Sequence, residues 1–153
     1  MDNLSDKELL SYSVSTLAWV GDAVFELHIR SRLAKRFTSP SGKLHHIATS
    51  FVSARGQASL FETLYDDRND FPLSEQETNL LRRARNYHCH STPKDADLAD
   101  YRRATALEAL IGWLWLNGQH ARAGELIEYV LRQSGMAERL EFDPQNRNSN
   151  GES

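Results

Sequence analysis

An all-α fold is the expectation from three features of this 153-residue sequence. Apolar residues recur at helical spacing over long stretches, and no stretch sustains the period-two alternation of a half-buried strand. The breakers are few, with 8 Gly and 4 Pro that fall mostly between those stretches. Ser5 followed by Glu8 matches a capping box and opens a helix over about Asp6–Tyr12. Val14–Arg36 reads as one long helix, and the Pro40–Gly42 break separates it from helices at Lys43–Ser50 and Phe51–Tyr65. Beyond Pro72, Ser74 and Glu77 form a second capping-box pattern ahead of Glu75–Arg85. Residues 86–95 are the longest internal loop, polar and rich in His. Ala96–Asn117 is again helical, and Gly118 parts it from Ala121–Ser134, whose Ala123, Leu126, Ile127, Val130 and Leu131 make an ordinary amphipathic stripe. The count is about seven helices, in one domain over residues 1–137 with a polar, flexible tail at 138–153.

Composition narrows the class of protein. Hydrophobic residues are 40% and charged residues 25%, which fits a folded domain and excludes a disordered chain. No apolar run reaches the roughly 18 residues a bilayer requires, and MDNLSDKE has none of the features of a signal peptide. The single Cys89 excludes a disulfide framework and fits a reducing cytoplasm. A His88–Cys89–His90 zinc site is not favoured, because no second cluster supplies the remaining ligands. The net charge of −3 hides an asymmetry: residues 28–57 carry six basic side chains and no acid. Residues 79–103 carry six more against three acids, so two basic segments stand out as a footprint for a polyanion.

Two carboxylates sit where carboxylates are costly. Val14–Ile29 and Leu98–Leu116 are apolar on nearly every face, yet the first contains Asp22 and the second Glu108. An isolated buried acid is protonated, paired with a cation, or bound to a metal. One reading is a structural salt bridge. The other brings the two helices together, with Gly21 and Gly112 allowing close backbone approach, so that both acids hold one Mg2+ ion. Glu26, one turn after Asp22, either supports that site or pairs with Arg30 at i+4.

The stretch LAWVGDAVFE at Leu17–Glu26 resembles the signature helix of the ribonuclease III family, and ATALEALIGWLWL at Ala104–Leu116 resembles its second acidic helix. LHHIATSFVSARGQA at Leu44–Ala58 and RRARNYHCHSTPKDADLADYRRAT at Arg82–Thr105 are similar to the short bacterial Mini-ribonuclease III branch, which lacks the double-stranded-RNA-binding domain. The resemblance implies the family's helical endonuclease fold and assigns catalysis and metal binding to Asp22 and Glu108. Two further family acids fall at Ala18 and Thr105, where Thr105 could hold a metal-bound water instead.

By the same resemblance the activity is Mg2+-dependent cleavage of double-stranded RNA, with Mn2+ as the alternative ion, leaving 5′-phosphate and 3′-hydroxyl ends. The implied substrate is precursor 23S ribosomal RNA, matured at both ends in the cytoplasm. The implied assembly is a homodimer joined through the signature helices, with Trp19 and Phe25 as interface candidates; no membrane and no organic cofactor are involved. Duplex RNA is read through shape, phosphates and 2′-hydroxyls, so Arg55, Arg82, Arg83, Arg85, Lys94, Arg102 and Arg103 are the candidate contacts, followed by Lys43 and His46. The competing expectation is a dimeric double-stranded-RNA-binding module with little catalysis, motivated by the acids missing at Ala18 and Thr105.

Overall fold

The computed structural model describes residues 6–38, 40–65, 69–87 and 97–141, and these contain helices and no strand. In chain order they are α1 (Asp6–Ser11), α2 (Val14–Arg36), α3 (Ser41–Val52), α4 (Ala54–Tyr65), α5 (Glu75–Arg85), α6 (Leu98–Leu116), α7 (His120–Gln133) and α8 (Met136–Glu141). The architecture is the all-α one expected. α2 and α6 form its central crossing pair, α4, α5 and α7 surround α6, and α3 lies along α2.

Local chemistry accounts for the boundaries. Ser13 caps α2 by accepting from the Thr16 amide at 3.0 Å. Asp97 caps α6 through the amides of Ala99 and Asp100, so that helix opens at Leu98, two residues later than expected. The break between α3 and α4 falls at Ser53, which is extended and accepts from the Gly56 amide at 3.2 Å. It was expected at residues 50–51, because a lone serine cap leaves little trace in an otherwise helical stretch. The Ser74–Glu77 capping box forms in full at the start of α5. Gly118, with φ 72°, reverses the chain between α6 and α7, a left-handed conformation glycine adopts without a Cβ clash. The short helix α8 was not expected, and it continues through Glu141, past the expected start of the polar tail.

The core joins Leu17, Phe25, Ile29 and Leu33 of α2 to Leu107, Leu110, Ile111 and Leu114 of α6 and to Leu126, Ile127 and Val130 of α7, all fully buried. Each such side chain contributes about 1.5–3 kcal/mol by leaving water. α2 is not buried all round: Trp19 is 77% and Leu27 60% exposed on its outer face. Phe25, expected at a dimer interface, is instead sealed in this core at 0% exposure, because it faces inward from α2. No helix among the described residues is long and apolar enough to cross a membrane.

Candidate active site

The crossing of α2 and α6 is a contact of backbone on backbone. A Cβ added at Gly21 would stand 1.7 Å from the Glu108 carbonyl oxygen, and one added at Gly112 would stand 1.9 Å from that of Leu17. Any side chain at either position would force the helices apart. Glycine at both brings Asp22, the residue after Gly21, beside Glu108, one turn before Gly112.

Both carboxylates line one open pocket of about 340 Å³, together with Ala18, Trp19, Gln57, Tyr87, Tyr101 and Thr105. Neither carboxylate makes an ion pair with any described residue, although arginines elsewhere in the fold are paired. Burial raises the Asp22 carboxyl above its ordinary range, and the Glu26 charge adds to the effect. Glu108 is pushed up to about 8, first by burial and then by the charge of Asp22. The Gln57 amide pulls both in the opposite direction. Two oxygen acids lining one solvent-open pocket, the charge of Asp22 bearing on Glu108, are a donor set suited to a divalent cation. Among the described residues no third His, Cys, Asp or Glu joins them as a potential ligand.

The remaining expected residues divide. Glu26 pairs with Arg30 and does not line the pocket, so it reaches Asp22 only through its charge. Thr105 does line it, while its Oγ1 donates to the Tyr101 carbonyl at 2.8 Å. Arg82, Arg83 and Arg85 are exposed along α5, which leads to the pocket residue Tyr87. Arg102 and Arg103 are half-buried on α6, and Arg103 is engaged by Glu62 at 3.0 Å and Asp100 at 3.7 Å. Lys43 and His46 are exposed on α3, away from the pocket lining. Lys94, residues 88–90 and the Arg55 side chain lie outside the described residues.

Gln57, Tyr87 and Tyr101 were not anticipated. For Gln57 a signal existed, a lone amide between Gly56 and an apolar stretch of α4. Glu77 was read as a capping-box residue, but its burial to 2% exposure and its pairing with Arg122, which grips it through Nε and Nη2 at 2.9 and 2.8 Å, were missed. The Arg122 guanidinium also donates to the Pro72 carbonyl and lies 4.8 Å over the Phe71 ring, tying α7 to α5.

A family model described as the Ribonuclease III domain matches residues 15–119, a span containing both pocket acids. The Mini-ribonuclease 3 of Thermoanaerobacter sp. (strain X514) is 37% identical over 82% of this chain and 84% of its own length. That of Enterococcus faecalis is 39% identical over 78% and 88%, and that of Staphylococcus aureus 32% over 86% and 96%. The crystal structure of a protein from Fusobacterium nucleatum superimposes with a TM-score of 0.68 at 28% identity, over 80% of this chain and 94% of that one. With most of its length and its central helices matched in this way, the chain belongs to the ribonuclease III family, in the Mini-ribonuclease 3 branch.

Proposed function

We propose that this family member is a Mg2+-dependent endoribonuclease that cuts double-stranded segments of structured RNA, leaving 5′-phosphate and 3′-hydroxyl ends. The observation that carries the reading is the pairing of Asp22 and Glu108 in one solvent-open pocket with no cation partner among the described residues. Asp22 and Glu108 would hold the ion. Once bound, such an ion supplies an activated water and stabilises charge developing on the scissile phosphate.

The chain's own groups perform the rest. Thr105, its hydroxyl proton committed to the Tyr101 carbonyl, offers oxygen lone pairs to a water in the pocket. Arg82 and Arg83, exposed and without an acid partner among the described residues, would neutralise phosphates of a duplex. The homodimer is supported by the exposed stripe of Trp19, Ala23 and Leu27, spaced one turn apart on α2. Trp19 also borders the pocket, so a partner on that face would adjoin the site. By resemblance to the branch, the physiological substrate is precursor 23S ribosomal RNA and the compartment is the cytoplasm.

The test is cleavage of a duplex RNA with Mg2+ or with chelator. Asp22→Asn and Glu108→Gln are each expected to lower cleavage about a thousandfold or more, the equivalent of several kcal/mol of transition-state stabilisation. Salt-sensitive RNA binding should persist in both. Binding without divalent-dependent cleavage in the unsubstituted protein would replace the enzyme by an RNA-binding module.

A further inference from the structure

Gln57 is buried to 1% exposure on α4, yet it belongs to the lining of the pocket that Asp22 and Glu108 share. Its Nε2 is buried without a hydrogen-bond partner among the described residues. A buried amide nitrogen with no acceptor is costly, and native proteins keep few of them without a functional reason. Here it stands close enough to both carboxylates to affect each, although it completes an ordinary hydrogen bond with neither. An amide nitrogen carries two N–H groups, and the pocket it lines holds two carboxylate acceptors.

We propose that Gln57 is a positioning residue for the ion site: when a divalent cation is bound, its side-chain amide would donate one N–H to Asp22 and one to Glu108, aiming their remaining oxygens at the shared ion. The inference rests on the metal-site reading above. The residue type suits the task. A Lys or Arg here would neutralise the two acids and compete with the cation, and another acid would add repulsion. A neutral double donor orients both carboxylates and leaves their charge for the ion. Groups that orient ligating carboxylates in this way typically change metal affinity by about 10–100-fold when removed.

Substitution by an apolar residue of similar length separates this role from a packing role, because the two predict opposite signs. Gln57→Met removes a buried, unpartnered polar atom, so without divalent cation the melting temperature should be unchanged or higher. Mg2+ affinity, followed by titration calorimetry and by the Mg2+-induced rise in melting temperature, should fall about 10–100-fold. Affinity for duplex RNA in chelator should be unaltered. Gln57→Leu is the second variant and carries the same expectation.

Either variant binding Mg2+ as tightly as the unsubstituted protein overturns the inference. So does a lower melting temperature, or failure to fold, in both, since that would make the amide part of the scaffold. If the unsubstituted protein itself takes up no Mg2+, and Asp22→Asn and Glu108→Gln change nothing, the metal-site reading has failed, and the assignment of Gln57 falls with it.

Discussion

Two acidic regions of this protein, one sealed and one lining an open pocket, differ above all in whether the fold supplies a cation. At the α5–α7 junction, burial raises the Glu77 carboxyl, but the Arg122 guanidinium and the donors of Ser74 more than reverse this, and the net shift is downward. At the α2–α6 crossing, burial acts the same way on Asp22 and Glu108 with no such partner among the described residues, and both are shifted upward. Desolvation is therefore common to both places and distinguishes nothing. What separates a scaffold acid from a candidate catalytic one is whether the fold itself supplies the counter-charge.

The sharpest way to break this contrast is to take the cation from the satisfied site. Arg122→Ala leaves Glu77 buried with only the Ser74 donors, and is expected to cost about 3 kcal/mol of stability. Urea unfolding reads that loss, while cleavage per folded molecule should be nearly unchanged. Asp22→Asn should do the reverse, with stability in divalent-free buffer retained or improved. Should Arg122→Ala instead leave the unfolding midpoint in place, the Glu77 pair would be no part of the scaffold.

Next in size is Gly21→Ala, which tests whether the acids meet because the helices do. A methyl 1.7 Å from the Glu108 carbonyl oxygen cannot be accommodated by a side-chain shift, since the obstacle is backbone. Overpacking of this kind costs about 1–3 kcal/mol. Unlike Arg122→Ala, it should also lower Mg2+ affinity in the fraction that remains folded. Ordinary Mg2+ binding by a destabilised Gly21→Ala protein would show that the site tolerates a displaced crossing.

The same contrast explains what could be seen in the sequence. Asp22 and Glu108 were legible because each interrupts an apolar helix, and Gly21 and Gly112 because an interior glycine disfavours a helix unless something needs the space. Glu77 was not legible, since it occupies the third position of a capping box, where a glutamate is fully explained by local bonds. Its partner lies 45 residues away, a pairing that only the tertiary fold creates. Phe25 was misplaced for a related reason. A helix apolar all round does not declare which face meets its own core and which is left for a partner, and in α2 the answer is Phe25 inward and Trp19 outward.

The smallest expected effect is a slope of stability with pH, bounded for one group at about 1.4 kcal/mol per pH unit, and it has opposite signs in the two regions. Glu77 binds its proton less readily folded than unfolded, so its contribution is present above 4.5 and is lost as pH falls below that value through the depressed folded pKa. Glu108 binds its proton more readily folded, so in divalent-free buffer stability should decline as pH rises from 4.5 towards about 8. Unfolding free energies measured across that range should therefore lose their alkaline decline in Glu108→Gln and their acid decline in Arg122→Ala. Saturating Mg2+ should flatten the alkaline limb alone, because the ion favours the ionised form of Glu108 and has no site beside Glu77. An alkaline decline that survives both Glu108→Gln and Mg2+ would locate the titrating group elsewhere and dissolve the distinction between the two regions.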